Sequence, residues 1–257
     1  MEKIIYNLSE FIYYIQECKN KNYPDISEGG KHDKIVYRGH ANKEWECFPK
    51  LFRERIWFDN ETEIINQILR KCPYEFEGLN GFETLVKMQH YGAPTRLLDF
   101  TGNPLIALYF ACDDKTQEKE DGVVLLCNNP VFYENEIPIE PFLYKLFPNR
   151  TNYIIGDNRQ EIDKIMQTSN VMVIAADLKN QRIKNQDGYF AFFTYTGEYG
   201  KVFNPIEEND CIQEKIIIPK ECKLNILSEL NDYGFNRAFV YPELENQIKE
   251  ICKNIKV

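Results

Sequence analysis

The chain has 257 residues and a mass of 30.4 kDa, the size of one large domain or two small ones. Hydrophobic residues make up 43% and aromatic residues 14%, which excludes a wholly disordered chain, because disordered segments are poor in aromatic side chains. The 31 basic and 40 acidic residues give a net charge of −9. We therefore do not expect a protein whose main function is to clamp duplex nucleic acid, since such binding depends on basic residues that neutralise the phosphates.

The start of the sequence lacks the apolar stretch of about 7–15 residues that marks a secretory signal. No apolar run approaches the ~20 residues that a membrane-spanning helix needs. We therefore expect a cytoplasmic protein without a membrane partner. The eight cysteines form no Cys-x-x-Cys pair, so we expect reduced thiols, although their even number also allows disulfides. The three histidines do not stand at zinc-site spacings from them, so we expect no metal.

The first predicted element is a helix. Asn7 and Glu10 have the spacing of a capping box at its start. Gly29 and Gly30 are expected to end this unit. The apolar residues in between recur at helical spacing and predict one buried face, made of Leu8, Phe11, Ile12 and Ile15.

Strands and helices are predicted along the rest of the chain. Runs of β-branched and aromatic residues predict strands at 34–37, 95–99, 123–127, 171–175, 189–196 and 212–218. Apolar residues at helical spacing predict helices at 62–72, 82–90, 104–111, 221–233 and after 242. Residues 128–167 give no clear pattern. Because the helices cluster early and late and the later strands lack a strand–helix–strand rhythm, we expect an α+β fold in one domain.

Common nucleotide-binding and hydrolase motifs are absent from the sequence. The 13 glycines include no Gly-x-Gly-x-x-Gly and no Walker A pattern, and no serine lies in Gly-x-Ser-x-Gly. Two Gly-x-x-Gly matches, at 78–81 and 197–200, lack the basic neighbours of an RNA clamp and are interpreted as turns. Ordinary dinucleotide folds and P-loops are therefore excluded.

Tyr37-Arg38-Gly39-His40 ends a predicted strand. A glycine after the arginine would let the backbone turn away and leave the guanidinium facing a cleft. Such a group suits two-pronged binding of a phosphate or carboxylate. The alternative is an arginine paired with one of the 40 acidic residues.

Residues 89–101 bring an imidazole, two charged groups and two threonine hydroxyls into one loop–strand–loop element. A binding or catalytic role and a scaffold role are both open here. In the scaffold interpretation, Asp99 or Thr101 caps the next helix, and Arg96 is a buried arginine paired with a carboxylate.

Residues 211–219 place Glu214 on a predicted strand face that it shares with Ile212, Ile216 and Ile218. A carboxylate on an apolar face needs a partner or a task. The alternative is a glutamate at a strand end, near solvent.

Together these segments resemble the FRG domain, a family named for a Phe/Tyr-Arg-Gly motif. The resemblance rests on residues 37–39, on His-Tyr-Gly-x-Pro-Thr-Arg-Leu-Leu-Asp-x-Thr at 90–101, and on Asn-Pro-Leu-x-Ala-Leu-Tyr-Phe-Ala at 103–111. Further matches follow at 182–194, 214–219 and 233–244. We expect a single FRG domain over 1–257, with a helical lead-in at 1–30 and a family core at 31–250.

The FRG pattern is in turn similar to that of ADP-ribosyltransferases with an Arg-Ser-Glu order. This similarity implies a split β-sheet core with flanking N- and C-terminal helices, and NAD as substrate. By position, Arg38 would hold the NAD phosphates. Thr101, or less favourably Thr95, would order the nicotinamide side. Glu214 would bond the ribose 2′-hydroxyl and stabilise the oxocarbenium ion, because a preorganised carboxylate stabilises developing positive charge.

Other residues of the matching segments complete this expected site. Tyr37, Gly39, Arg96 and Asp99 are assigned to the cofactor pocket, and His90 to the catalytic groups. The sequence departs from the transferase pattern at three places. Asp-Phe-Thr replaces a Ser-Thr-Ser triplet at 99–101, and isoleucine replaces an acid or amide at 212. The proline at 219 is one residue further from Glu214 than the transferase pattern expects.

Three functions are consistent with these residues. The leading hypothesis is an ADP-ribosyltransferase-like enzyme that cleaves the nicotinamide–ribose bond of NAD, with an unspecified macromolecular acceptor, and acts as a toxin or an antiviral defence effector. The second is a catalytically silent module in which Arg38, His90 and Arg96 recognise a nucleotide or a phosphate-bearing partner. The third is a nuclease or phosphoryl-transfer enzyme that uses Asp99 with His90.

The leading hypothesis makes a geometric prediction, namely that Arg38, Thr101 and Glu214 converge on one cleft. Several basic residues of this acidic chain lie in the family-matching segments, and they predict a local positive pocket for a small anion such as NAD: Arg38, His40, His90, Arg96 and Arg182.

Overall fold

The computed structural model describes residues 2–22, 35–128, 132–133, 139–150, 171–175, 181–195, 199 and 212–254. Eight strands are found in these residues: β1 Glu2–Ile4, β2 Ile35–His40, β3 Leu97–Thr101, β4 Gly122–Asn128, β5 Phe132–Tyr133, β6 Val171–Ala175, β7 Gly188–Phe193 and β8 Ile212–Ile218. They form one mixed sheet in the order β1-β8-β4-β2-β3-β7-β6-β5. The β1–β8 and β5–β6 pairs are parallel and the other pairs are antiparallel, which confirms the α+β class.

Helices flank this sheet. The α-helices of the described residues are α1 Leu8–Asn22, α2 Arg55–Asp59, α3 Glu61–Lys71, α4 Gly81–His90, α5 Pro104–Cys112, α6 Glu140–Leu146, α7 Gln181–Gln186, α8 Lys223–Asp232, α9 Arg237–Val240 and α10 Leu244–Asn254. The predicted long helices and buried strands are all present within a few residues of their expected bounds. The elements that sequence patterns did not predict (β1, β5, α2, α6, α7 and α9) are short, so they contain too few residues to show a period.

In the first helix, α1, the predicted cap is confirmed and part of the predicted buried face is wrong. The Asn7 side chain accepts a hydrogen bond from the main-chain N–H of Glu10 at 2.9 Å, as predicted for the cap. Ile12 was predicted to be buried but is exposed. The helix face that packs on the sheet includes Tyr14 and Cys18 in place of Ile12. It consists of Leu8, Phe11, Tyr14, Ile15 and Cys18. Gly29 and Gly30 lie outside the described residues, as does much of 128–167.

The two faces of the sheet are covered differently. On one face, α1, α5 and α8 pack over β2, β4 and β8, while α3, α4 and α6 pack over β3, β6 and β7. The opposite face is covered by the segment 47–58, with Leu51 and Phe52 buried against the strands. The two groups of helices thus lie side by side on one face, with the β2–β3 junction between them.

The β2–β3 junction, here called the seam, is the weakest ladder in the centre of the sheet. Tyr37 and Thr101 are its single register pair, whereas β2 and β4 share six. No ladder pair joins Gly39 to Asp99, where a continued antiparallel ladder would put one. Instead, the Arg38 guanidinium donates a hydrogen bond through Nη1 to the main-chain carbonyl of Asp99. The Arg38 side chain therefore joins β2 to β3 at a point where the two strands form no ladder pair.

Gly39 allows α5 to approach β2 closely. A Cβ atom at this position would lie 1.9 Å from the carbonyl oxygen of Ala107 and 2.8 Å from the amide nitrogen of Ala111. The expectation that Gly39 turns the backbone away from the strand is wrong, because β2 continues through His40. The glycine of the Tyr-Arg-Gly motif is required by helix–strand packing.

We expect Gly39→Ala to lower the free energy of unfolding by about 3 kcal/mol, since the new methyl group meets backbone atoms that cannot move independently. Urea denaturation measures this. Gly188→Ala is the matched control, because the nearest atom to a Cβ there is the flexible Cγ2 of Ile183 at 3.1 Å. Equal losses in the two variants would contradict the packing explanation.

Candidate functional site

A cleft of about 870 Å³ opens between the two groups of helices, over the seam. Phe82 and Val86 of α4 and Phe190 of β7 give part of the cleft an apolar wall. Charged and polar side chains from several elements surround the rest, among them Arg38, Gln89, His90, Asp99, Arg182 and Arg237. The cleft therefore combines an apolar region with a strongly polar one, as small-molecule sites commonly do.

Arg38 lies at the seam edge of this cleft. Its Nε donates a hydrogen bond to Nε2 of His40 at 2.8 Å, and its Nη1 donates to the Asp99 carbonyl. Both acceptors are uncharged, and among the described residues Arg38 forms no ion pair with a carboxylate. The alternative, an Arg38 paired with an acidic residue, does not match the described part of the structure.

His40 holds Arg38 in place as a neutral side chain. It is 3% exposed, and its burial, with the positive charge of Arg38, lowers the pKa of His40 from 6.5 to about 3. Nδ1 lies 3.1 Å from the carbonyl oxygen of Trp45. The proton of the neutral ring is therefore on Nδ1, and Nε2 accepts from Arg38. The expectation that His40 adds positive charge to the pocket is wrong, because the ring stays uncharged.

Asp99 directs its carboxylate into the cleft. Oδ1 accepts a hydrogen bond from Nε2 of Gln89 at 2.6 Å, and Oε1 of Gln89 accepts from the Thr95 hydroxyl at 2.5 Å. The side chain is reached by solvent, yet the cleft walls surround it closely, and this burial raises the pKa of Asp99. Arg38 and Arg182 oppose that shift without cancelling it. The carboxylate is therefore held by neutral groups near two cations.

The opposite wall of the cleft is built around Tyr241. The guanidinium groups of Arg182 and Arg237 lie 4.8 and 5.1 Å from the centroid of its ring. Nη1 of Arg182 lies 3.1 Å from Oε1 of Glu243, which is also 3.6 Å from Nε2 of His90. Burial and Arg182 lower the pKa of His90, so this ring is neutral near pH 7. His90 thus lies beside Glu243, and among the described residues no hydrogen bond joins it to Asp99.

Thr101 lies at the cleft, but its hydroxyl group is hydrogen-bonded to main-chain atoms. Oγ1 donates to the carbonyl of Gln186 and accepts from the amide of Asn103 at 3.0 Å. Asn103, and neither Asp99 nor Thr101, caps α5, because its side chain accepts from the amide of Leu105 at 2.9 Å. Thr101 therefore joins the start of α5 to the end of α7.

Arg96 belongs to the scaffold and does not line the cleft. It is 3% exposed and donates through Nε to Glu61 at 2.7 Å and through Nη1 to the carbonyl of Phe193 at 2.6 Å. Its guanidinium also lies 4.8 Å from the ring centroid of Phe142. The scaffold interpretation of Arg96 is the one that the structure supports.

Glu214 lies away from the cleft. Thr101, Tyr37, Leu126 and Glu214 are consecutive partners across β3, β2, β4 and β8. Three strand spacings separate the first from the last, about 14 Å. The buried side chains of Tyr37 and Leu126 lie between them, and Oε2 of Glu214 accepts from the Tyr14 hydroxyl at 3.0 Å.

By alternation along β2, Arg38 leaves the sheet on the face opposite to Tyr37, Thr101 and Glu214. Its guanidinium reaches the cleft at the seam, where it bonds the Asp99 carbonyl, whereas Glu214 is two strands further away. The structure therefore brings Arg38 and Thr101 to one cleft and leaves Glu214 out. Gln89, Arg237 and Tyr241 were missed as site residues. Only Gln89 had a local signal, since it begins the polar segment 89–101.

These features define an α+β domain with a polar cleft at the seam of its sheet. The family model of the FRG domain matches residues 33–120. Residues 33–120 thus match the FRG domain family, which confirms the resemblance that the motifs in this range predicted. The match includes Arg38 and Asp99 and ends before Arg182 and Glu214. Comparison with curated proteins and with solved structures finds no match. Within the described residues, no helix has the length and apolar character to span a membrane.

His40 predicts a pH dependence of stability. Its folded pKa of about 3 lies below the ordinary 6.5, so the unfolded chain binds the proton more tightly. The contribution is complete above about pH 6.5 and is lost as the pH falls towards about 3. We expect wild type to lose up to about 1.4 kcal/mol more per pH unit than His40→Gln across this range.

Urea unfolding of both proteins at several pH values measures this difference. Gln keeps a hydrogen-bond acceptor for Arg38 but does not titrate. Parallel stability–pH curves for the two proteins would contradict a buried, neutral His40.

Proposed function

We propose that the cleft binds a phosphate-bearing nucleotide, with NAD as the first ligand to test, and that Arg38 contacts its phosphate. The observation that carries this proposal is the state of Arg38. Its guanidinium borders the cleft, is fixed by the neutral ring of His40 and a main-chain carbonyl, and has no carboxylate partner among the described residues. A fixed cation with no carboxylate at ion-pair distance is suited to an anionic ligand.

Arg38 is also preorganised for this task. Its two hydrogen bonds occupy Nε and one N–H of Nη1, which leaves the other N–H donors of the guanidinium for a phosphate. Because the side chain is already ordered, binding does not have to immobilise it, and less free energy is lost. A lysine could supply the charge at this position but not the planar fork.

The remainder of the cleft suits the rest of a nucleotide. Phe82, Val86 and Phe190 offer an apolar surface for a base or a nicotinamide ring. Arg182 and Arg237 stand on the far wall, although Glu243 and Asp113 offset part of their charge. The single ladder pair at the seam supports, within this proposal, the split core that the similarity to ADP-ribosyltransferases implies.

We expect NAD or ADP-ribose to raise the melting temperature of wild type, and Arg38→Ala to weaken binding by about tenfold or more, as for loss of a hydrogen bond to a charged group. Calorimetric titration gives the affinities, and Arg38→Lys should recover only part of the loss. Arg55→Ala is the control, since Arg55 is an exposed arginine paired with Asp59. Unchanged affinity in Arg38→Ala would contradict the proposal.

Cleavage of the nicotinamide–ribose bond of NAD is a second candidate, and a toxin or defence effector is the setting in which it would act. The favouring observation is that the Asp99 carboxylate, which forms no ion pair among the described residues, shares the cleft with Arg38. As nicotinamide leaves with the electron pair of the C–N bond, positive charge builds on the ribose, and a nearby carboxylate stabilises it until water or an acceptor nucleophile bonds to the ribose carbon. In this proposal Glu214, which is bonded to Tyr14 outside the cleft, does not carry the step.

We expect wild type to release nicotinamide from NAD, Glu214→Gln to keep that activity within about twofold, and Asp99→Asn to lose roughly 10²-fold in rate, the usual effect of removing one electrostatic stabiliser. Chromatographic detection of nicotinamide measures all three. No release by wild type, or loss of activity in Glu214→Gln alone, would exclude this role for Asp99.

A further inference from the structure

Asp99 has a different kind of partner from the other carboxylates that line the cleft in the described part of the chain. Glu83 accepts from the main-chain amide of Asn80 in a capping box, Asp113 pairs with Arg237, and Asp114 accepts from the amide of Thr116. Each of these groups has a structural task at an element end or in an ion pair. Asp99 accepts from a neutral side-chain amide and forms no ion pair among the described residues.

A relay of hydrogen bonds sets the direction of the Asp99 carboxylate. The main-chain amide of Leu97 donates to Oγ1 of Thr95 at 3.3 Å, so the Thr95 hydroxyl is free to donate to Oε1 of Gln89. Accepting that bond places the carbonyl end of the Gln89 amide towards Thr95 and its NH₂ end towards Oδ1 of Asp99. Oδ2 of Asp99 is left for the cleft.

Thr95 and Gln89 lie well away from Arg38 in the sequence, yet the relay ends beside it. The guanidinium of Arg38 bonds the main-chain carbonyl of the residue whose carboxylate the relay orients. A phosphate held by Arg38 therefore has the Asp99 carboxylate as its neighbour. A carboxylate next to a phosphate repels a second anion but accepts strong hydrogen bonds from hydroxyl groups. In a nucleotide, the hydroxyls next to the phosphate are those of the ribose.

We propose that Asp99 binds the ribose hydroxyl groups of the nucleotide, and that Gln89 and Thr95 are positioning residues that aim its carboxylate. This inference rests on the proposed function, because it takes the phosphate at Arg38 as given. It adds the class of ligand, because it predicts that the cleft binds a ribonucleotide more tightly than the corresponding deoxynucleotides. Carboxylate recognition of ribose hydroxyls is established chemistry in dinucleotide-binding folds, but here the fold and the surrounding groups are different.

The test compares ADP with 2′,3′-dideoxy-ADP, which has the same phosphates and base but lacks both hydroxyls. We expect wild type to bind ADP at least about tenfold more tightly in calorimetric titration. Asp99→Asn should bind both nucleotides with similar affinity, since it loses the charged acceptor and keeps the shape. Arg38→Ala should weaken the binding of both nucleotides by a similar factor.

Thr95→Val tests the relay, because valine keeps the shape of threonine and removes the hydroxyl. We expect the preference for ADP to fall by at least about threefold with the affinity for dideoxy-ADP unchanged, and Thr95→Ser to restore the preference. A purely structural role would lower both affinities together. Thr84→Val is the control, since it removes a buried hydroxyl that donates to the carbonyl of Asn80 at 2.7 Å, outside the relay.

The two proposals fail in distinguishable ways. Equal binding of ADP and dideoxy-ADP by wild type, both weakened by Arg38→Ala, would overturn the role of Asp99 and leave the phosphate site intact. A full preference for ADP in Asp99→Asn would also overturn it. If wild type binds neither nucleotide, the proposed function and this inference are both wrong.

Discussion

The hydrogen bond from Arg38 to the Asp99 carbonyl is the interaction around which the structure is arranged. The sheet is continuous on either side of the seam, but at the seam one ladder pair joins β2 to β3. The guanidinium replaces a missing backbone bond, and the gap it spans becomes the cleft floor. The same guanidinium thus completes the sheet and borders the cleft, so the contacts that order the sheet also fix this charged group at the cleft.

Helix α5 packs closely against β2 beside the seam. Its Ala107 and Ala111 approach β2 so closely that only glycine fits at position 39. Its beginning is fixed by Asn103, and Thr101 ties that turn to the end of α7. Much of the motif segments therefore joins this helix to the two strands, and Arg38 and Asp99 are motif residues whose charged groups face the cleft.

Charge in the cleft is controlled by burial as much as by the number of ionisable residues. The chain carries −9 overall, yet its cleft is bordered by three arginines, two of which are paired with carboxylates. His40 is uncharged because burial and Arg38 lower its pKa to about 3, while burial raises the pKa of Asp99. Neutral partners thus hold Arg38 and Asp99 in place, while carboxylates hold Arg182 and Arg237.

The sequence by itself determined the α+β class, the long helices, the buried strands and the family, because periodicity and contiguous motifs are local properties. It also singled out Arg38 and Asp99. Only the tertiary structure decided which polar residues meet. Tyr14 reaches Glu214 across 200 positions, and Glu61 reaches Arg96 across 35, so each takes a candidate residue out of the cleft. Such partners depend on how distant segments pack, a property that no local pattern contains.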